Sequence, residues 1–261
     1  MTASSPLDAT LVADTEALLR RAHDAAARIG PAPTAAKDHF LACVAERLDG
    51  GRAAIIAANQ RDLEAAQAAG KNAAFIDRLR LDDRGIDALR ASIAEIAALP
   101  DPVGVITSGG RRPNGLQVRR VRIPLGVIGV IYESRPNVTV DAAALCIKAG
   151  NAVVLRGGSD ARHSNACLLE MLRCALTDAD LPADAAQAPP TIAHAGIRAL
   201  VSVAGGLDLV IPRGGTALID SVNEHARVPV IQHYKGVCHL YVDGAADLDE
   251  AVSVVVNAKA Q

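Results

Sequence analysis

The feature that most constrains the fold is an alternation of short apolar segments and helical segments that begins at residue 125. Apolar runs at 125–132, 152–155 and 207–211 have the composition of buried strands, and helical patterns follow them at 139–149, 160–177 and 216–224. Strands and helices that alternate at this spacing favour right-handed βαβ units. The sequence therefore predicts an α/β fold with a mostly parallel sheet, and further short strands are predicted at 230–231 and 239–242.

The first hundred residues predict helices, at 7–29, 34–48, 53–69 and 83–98, because alanine is abundant and leucine recurs at helical spacing. Two alternating segments, 104–107 and 116–123, then predict a β-hairpin with glycine-containing breaks at 108–110 and 113–115. The stretch 183–193 reads as a connection without evident chemistry. Residues 247–250 resemble a capping box that opens a last helix. That helix has no terminating signal before Gln261, so we expect the chain to be a fragment.

Composition argues against several classes of protein. The net charge is −2 and only 2% of the residues are aromatic, which gives neither a basic footprint nor stacking platforms for nucleic acid. Apolar runs fall short of the roughly 18–20 residues that span a bilayer, and the N-terminus lacks the pattern of a signal peptide. Five scattered cysteines without a C-x-x-C pair speak against disulfides or structural zinc, and suit a cytoplasmic protein.

Three predicted strand-to-helix junctions carry the functional signal. They are 132–137 (YESRPN), 155–159 (LRGGS) and 211–216 (IPRGGT). Backbone N–H groups at the start of a helix attract phosphate or carboxylate, and ligands of open α/β sheets bind where the strands end. The two Arg-Gly-Gly sequences, at Arg156 and Arg213, favour a dinucleotide. The alternative is turn glycines beside surface arginines.

Other chemistry is weakly represented. The chain contains no G-x-G-x-x-G, no P-loop and no H-E-x-x-H sequence, and no metal site is expected. Cys238 and His239 are adjacent in a predicted strand and would point to opposite faces, so they do not form a nucleophile and base. Cys146, Cys167 and Cys174 are predicted to be packing residues, and Cys43 has no activating neighbour in its helix.

The residues at 121–141 (VRIPLGVIGVIYESRPNVTVD), 148–158 (KAGNAVVLRGG), 211–215 (IPRGG) and 237–243 (VCHLYVD) closely resemble the γ-glutamyl phosphate reductases. These enzymes form a proline-biosynthetic branch of the aldehyde dehydrogenase superfamily. The resemblance implies a Rossmann-like sheet, and NADPH-dependent reduction of L-glutamyl 5-phosphate to glutamate 5-semialdehyde through a cysteine thioester. It divides the chain into N-terminal helices of the cofactor domain (1–103), an oligomerisation hairpin (104–124) and an NADP-binding domain (125–261). The catalytic cysteine and the catalytic domain would follow Gln261.

The resemblance also implies roles for single residues. Asn137 matches the side-chain amide that stabilises the oxyanion, although its chemistry also suits a helix cap. Arg156 and Ser159, with Gly157 and Gly158, would bind the adenosine end, where an arginine and a serine in place of a carboxylate would accept a 2′-phosphate.

At the third junction, Gly214 and Gly215 would approach the pyrophosphate, with Arg213 nearby. Arg135 is a candidate for the phosphate or α-carboxylate of the substrate, or simply ties strand to helix.

Two alternatives stay open. One is a catalytically silent module that binds NADPH, and the other is a CoA-acylating aldehyde dehydrogenase. The segment 231–236 (IQHYKG) lacks the glutamate with which hydrolytic aldehyde dehydrogenases activate water, which supports an acyl-phosphate reductase. A homo-oligomer is expected, because the hairpin needs a partner sheet, and association with glutamate 5-kinase is a further expectation from the resemblance.

Overall fold

A computed structural model of the chain describes residues 7–231 and 239–259. Five helices precede the first strand: α1 (Ala9–Ile29), α2 (Thr34–Gly50), α3 (Arg52–Ala68), α4 (Ala73–Leu79) and α5 (Asp83–Ala98). A two-stranded antiparallel hairpin follows, formed by β1 (Ile106–Arg111) and β2 (Gln117–Val121). The described part of the chain therefore opens with a helical region and a hairpin, as the sequence predicts.

A four-stranded parallel sheet forms the centre of the fold. Its elements are β3 (Val127–Tyr132), α6 (Asn137–Lys148), β4 (Ala152–Arg156), α7 (Arg162–Asp178), β5 (Ala186–Gln187), α8 (His194–Ser202), β6 (Leu209–Arg213) and α9 (Thr216–His225). The strand order is β5-β4-β3-β6, and every neighbouring pair is parallel. All positions of β3 and β4 are buried, as expected for central strands covered on both faces.

One hydrophobic core joins the N-terminal helices to the sheet. Buried side chains of α1, α2 and α5 pack in the same cluster as those of β3, β4, α6 and α7. A polar contact strengthens this junction: Asp62 of α3 is 1% exposed and accepts hydrogen bonds from the backbone N (2.8 Å) and the Oγ (2.7 Å) of Ser164 in α7. The helical region is thus packed onto the sheet.

The strands of the hairpin differ from the prediction in their bounds. β1 runs to Arg111 and includes Gly109 and Gly110, where the sequence predicts a break. The chain turns once, between Arg112 and Leu116, where Gly115 has a φ of +89° and Arg112 N donates to Leu116 O. Glycine favours this left-handed conformation, so the turn forms at 113–115. Both strands of the hairpin are exposed along their whole length.

Several other elements were missed or shifted. Helices α4 and α8 were not predicted, and the stretch 183–193 holds a 3-10 turn and the short strand β5. The predicted strand at 207–211 begins two residues later, and that at 230–231 is a single bridge between Val230 and Val210. Residues 239–242 have no regular structure, because an apolar alternation becomes a strand only when it pairs with another strand, and none pairs with it in the described chain.

The last helix, α10 (Leu248–Lys259), begins where the capping residues predict it: Asp247 Oδ1 accepts from the backbone N–H groups of Asp249 and Glu250. No helix within the described ranges is long and apolar enough to cross a membrane.

Candidate functional site

The order of the strands marks one edge of the sheet as a place for a ligand. The chain proceeds from β3 outward through β4 to β5, and then returns to add β6 on the other side of β3. In open α/β sheets, ligands bind beyond the carboxyl ends of the strands where the order reverses in this way. Here the reversal lies between β3 and β6, which end at Tyr132 and Arg213.

The three predicted junctions meet at this edge. Glu133, the first residue after β3, donates its backbone N–H to Arg213 O over 3.3 Å. A Cβ on Gly158 would lie 3.4 Å from both Glu133 Cα and Ser134 N, so the second junction packs directly against the first. The three junctions therefore lie in contact at the carboxyl edge of the sheet.

Glu133 occupies the start of α9. Its Oε2 accepts a hydrogen bond of 3.2 Å from the backbone N of Gly215, the residue that precedes α9. Gly214 makes room for this contact, because a Cβ there would lie 2.6 Å from Glu133 Cδ. A carboxylate thus occupies the position where the sequence predicts an anionic ligand.

Arg156, at the end of β4, is more buried than the surface arginine of the alternative interpretation. It is 7% exposed, and Nη2 donates to the carbonyl oxygen of Ile192 over 2.5 Å. Its Nε is buried and has no hydrogen-bond partner among the described residues. Burial lowers the pKa of Arg156, and the charge of Glu133 opposes that effect. A guanidinium with an unused donor therefore lies behind the edge of the sheet.

The other cofactor candidates surround these two residues. Gly157 and Gly158 are buried, whereas Ser159 is exposed and begins a 3-10 turn. Gly157 fits against Asn165, since a Cβ there would lie 2.1 Å from Asn165 Nδ2. Arg213 is exposed at the end of β6. The arrangement presents backbone amides and two arginines at one edge, a combination that suits phosphate groups.

Asn137 is the first residue of α6 and does not cap it. Its Nδ2 donates to Asp141 Oδ2 over 3.2 Å, and Ser92 Oγ of α5 donates to Asp141 Oδ1 over 2.9 Å. Burial raises the pKa of Asp141, and the hydrogen bonds from Ser92 and Asn137 partly offset the effect. The cap that the alternative interpretation expected is therefore absent at Asn137, and its amide is held by a neighbouring carboxylate.

A cavity of about 790 Å³ opens beside β3, α6 and α9. Its walls combine apolar side chains of α6 with charged groups from the junctions. The charged lining residues are Arg78, Glu133, Arg135, Asp141 and Arg213. The volume suits a small organic molecule, and the charges of both signs suit one that carries ionised groups. Arg135 and Arg213, both predicted from the sequence, line the same cavity.

The cysteines that the structure describes offer no activated nucleophile. Cys43 and Cys146 are buried, and burial raises the pKa of Cys43 and, for Cys146, raises it to about 12. Cys167 packs partly buried against the core, and burial raises its pKa as well. Cys174 is half-buried with its Sγ 3.8 Å from Glu170 Oε1. Cys238 lies outside the described residues. No group of three or more potential metal-ligating side chains occurs in ranges 7–231 and 239–259.

Sequence reasoning missed two residues of this edge. Glu133 was part of the first junction, but a lone carboxylate after a strand carries no motif, and its contact with Gly215 bridges 82 positions. The sequence did not indicate Asp141 as a site residue, because a polar residue four positions after Asn137 is ordinary on a helix. Only the i, i+4 spacing of an amide and a carboxylate could have suggested their hydrogen bond.

The fold, and a site at the switch point where the strand order reverses between β3 and β6, are those of an α/β protein of the dinucleotide-binding type. Residues 7–261 match the family model described as "Aldehyde dehydrogenase family", so the chain belongs to the aldehyde dehydrogenase family. Membership of this family implies a nicotinamide cofactor.

Among curated proteins, the chain is 52% identical over 250 residues to the "Gamma-glutamyl phosphate reductase" of Sorangium cellulosum, with 94% of this chain and 59% of that protein covered. Among solved structures, it is similar to the Gamma-glutamyl phosphate reductase of Thermotoga maritima, with a TM-score of 0.88, 38% identity, and coverage of 95% of this chain and 60% of that one. The corresponding protein of Saccharomyces cerevisiae gives a TM-score of 0.78 at 28% identity, with coverage of 94% and 62%. The chain therefore spans about 60% of the length of these relatives.

Proposed function

We propose that the chain is the dinucleotide-binding part of a γ-glutamyl phosphate reductase, which reduces L-glutamyl 5-phosphate to L-glutamate 5-semialdehyde and phosphate with NADPH. The observation that carries this proposal is the 52% identity over 250 residues to a protein of that name. The three junctions meet at the switch point, the position at which open α/β sheets bind dinucleotides. This placement supports cofactor binding independently of the name of the similar protein.

The residues present fit a nicotinamide dinucleotide. Gly214 and Gly215 bring the start of α9 within reach of an anion, as the carboxylate of Glu133 demonstrates by accepting from Gly215 N. Arg156, Ser159 and the buried Gly157 and Gly158 would hold the adenosine end. The preference for NADP(H) over NAD(H) rests on the absence of a carboxylate at Ser159, which leaves room for a 2′-phosphate beside a cation.

NADPH supplies the hydride when it is bound, and the chain's own residues bind and orient the groups around it. Asn137 would donate a side-chain N–H to the oxyanion that forms during acyl transfer and reduction, because an amide has two such hydrogens and Asp141 accepts one of them. Arg135 lies on the wall of the cavity and would bind the phosphate or the α-carboxylate of the substrate.

The thioester requires a thiolate, and the four described cysteines are poorly suited to supply one. Their thiols are buried or half-buried in helices, and burial raises the pKa of Cys146, the one on the cavity wall, to about 12. We assign the nucleophile to the part of the longer relatives that has no counterpart in these 261 residues.

Isothermal titration calorimetry of the purified chain with NADPH and with NADH tests the cofactor part. The proposal expects saturable binding of NADPH and binding of NADH at least tenfold weaker, since the ribose hydroxyl of NADH lacks the charge that Arg156 would meet. Absence of NADPH binding, or tighter binding of NADH, would overturn it.

A chimera tests the reaction. Residues 1–259 are joined to the remaining length of the Sorangium relative, and reduction of NADP⁺ by glutamate 5-semialdehyde is followed with phosphate or with CoA as the acyl acceptor. Phosphate-dependent turnover supports the reductase. CoA-dependent turnover would favour an acylating aldehyde dehydrogenase, and NADPH binding without turnover would favour a silent binding module.

We also propose that the protein acts in the cytoplasm as a homo-oligomer joined through β1 and β2. Both strands are exposed along their whole length and carry exposed apolar side chains, including Ile106 and Val118. Sedimentation of V118D against the parent chain tests this, with dissociation expected for the variant. An unchanged sedimentation coefficient would argue against the hairpin as the interface.

A further inference from the structure

The contact between Glu133 and the start of α9 has consequences for ligand binding. The Oε2 of Glu133 accepts from Gly215 N, and Gly214 allows the carboxylate to lie against the backbone, since a Cβ there would be 2.8 Å from Oε1. The first N–H groups of a helix have no partner within the helix, so an anion that reaches them is stabilised by hydrogen bonding and by the helix dipole. Glu133 is such an anion.

Glu133 lies among the groups that we propose bind the phosphates of the cofactor. The backbone of Glu133 and Ser134 packs against Gly158 of the second junction. The backbone N–H of Glu133 donates a hydrogen bond to Arg213 O of the third junction. Arg156 is 7% exposed and lies behind the same edge, and its Nε has no hydrogen-bond partner within the described ranges. Burial lowers the pKa of Arg156, and the charge of Glu133 opposes that effect. The Glu133 carboxylate therefore lies at a helix N-terminus, and its charge acts on a buried guanidinium whose Nε has no hydrogen-bond partner among the described residues.

We propose that Glu133 is an affinity-determining residue that competes with the phosphate of the cofactor for the start of α9. In the unliganded chain its carboxylate holds the Gly215 amide. A phosphate of the dinucleotide can take that amide only when the Glu133 side chain rotates away, because two anions cannot share one donor without repulsion. This inference rests on the proposed cofactor function.

The side chain has room to leave. Glu133 is exposed, it is attached at the mouth of the cavity of about 790 Å³, and its backbone hydrogen bond to Arg213 does not depend on the side chain. Arg78, Arg135 and Arg213 line the same cavity and could receive the displaced carboxylate. Displacement therefore needs a side-chain rotation and no change of fold.

The test compares the parent chain with E133Q and E133A, using NADPH and inorganic pyrophosphate as ligands in calorimetry. E133Q keeps the shape of the side chain and removes its charge, and E133A also removes the hydrogen-bond acceptor. Comparing the two variants therefore separates charge repulsion of the phosphate from mere occupation of the Gly215 amide by a side chain. E224Q is the matched control, because Glu224 is exposed on the same helix, away from its start. Circular dichroism confirms that the variants are folded.

We expect both ligands to bind about fivefold tighter to E133Q, and at least as much tighter to E133A, while E224Q stays within about twofold of the parent. Equal or weaker binding to both variants overturns the inference. If the parent binds NADPH and the variants bind it equally, the cofactor proposal stands and the role of Glu133 fails. If none of the chains binds either ligand, both fail.

Discussion

Asn137 and Asp141 are joined across the first turn of α6, where Asn137 Nδ2 donates to Asp141 Oδ2 over 3.2 Å. Ser92 Oγ donates to the other carboxylate oxygen over 2.9 Å and so ties α6 to α5. The amide that we propose as an oxyanion donor is thereby fixed in orientation by a residue that lines the cavity. Fixed donors stabilise a developing charge better than mobile ones, since no reorganisation is needed during the reaction.

The Asp141 carboxylate predicts a pH-dependent effect on stability. Burial raises the pKa of Asp141 above its ordinary value near 4, so the native state binds its proton more tightly than the unfolded chain does. Its contribution to stability is therefore most favourable at low pH and is lost as the pH rises through the raised pKa.

D141N removes this dependence. The free energy of unfolding is measured in urea at a series of pH values from about 4 to about 7. As the pH rises across this range, the difference between D141N and the parent chain should change in favour of D141N. The amide has only one acceptor oxygen for the two donors, Asn137 Nδ2 and Ser92 Oγ, and this loss adds an offset that does not vary with pH, so the slope is the readout. D14N, at an exposed position of α1, should show no such slope. A difference that moves the other way would contradict the stated burial effect.

D62N should destabilise the chain by about 2–4 kcal/mol. Asp62 is 1% exposed and accepts from Ser164 N, Ser164 Oγ and His163 N at the start of α7, where a carboxylate also complements the helix dipole. An amide accepts fewer of these bonds and carries no charge. The measurement is the urea midpoint with D14N as the reference, and a loss below about 0.5 kcal/mol would show that this contact is unimportant.

Substitution by alanine should lower the stability of the chain at one glycine of the candidate site and leave it unchanged at another. A Cβ on Gly157 would meet Asn165 Nδ2 at 2.1 Å and disturb the buried hydrogen bonds that link Asn165, Thr139 and Tyr132. G157A should therefore cost about 1–3 kcal/mol. A Cβ on Gly215 would meet no atom within 4 Å, and the φ of Gly215 is an ordinary −66°. G215A should therefore have the same midpoint of thermal unfolding as the parent chain. Equal stability of the two variants would contradict the packing described for Gly157.

We expect that the proposed preference for NADPH can be removed at Ser159 without disturbing the fold, because this residue is exposed at the start of a 3-10 turn. S159E should weaken NADPH binding about tenfold by repelling the 2′-phosphate, and should leave NADH binding within about twofold. S159Q adds the same bulk without charge and should affect both ligands alike. If S159E weakens both cofactors equally, the 2′-phosphate does not lie beside this residue.

Local signals in the sequence were sufficient for the central part of the fold. The apolar runs of β3 and β4, and the strand-to-helix spacing around them, predicted a parallel sheet and the edge where its junctions meet. Amphipathic spacing likewise predicted α1, α2, α3 and α5 within a few residues.

The elements that were missed depend on distant partners. β5 has only two residues and exists because Val153 and Val154 of β4 pair with it. Helix α4 is seven residues long, and its buried Leu79 packs in a small separate cluster with Leu63 of α3. Short segments of this kind have weak intrinsic preference, and tertiary packing decides their conformation.

The candidate site shows the same division. Glycine-rich junctions are visible as motifs, so Arg156, Gly157, Gly158, Arg213, Gly214 and Gly215 could be proposed from the sequence alone. The burial of Arg156 and the bond between Glu133 and Gly215 could not, because they depend on how β3, β4 and β6 bring separate segments into contact.

A crystal structure of the chain with NADPH would show whether the three junctions bind the cofactor. We predict that the dinucleotide lies at the carboxyl edge of β3, β4 and β6, with a phosphate oxygen about 3 Å from Gly215 N and the Glu133 side chain turned away. The 2′-phosphate should lie beside Arg156 and Ser159. NADPH bound away from these junctions, or a phosphate elsewhere while Glu133 still holds Gly215, would contradict it.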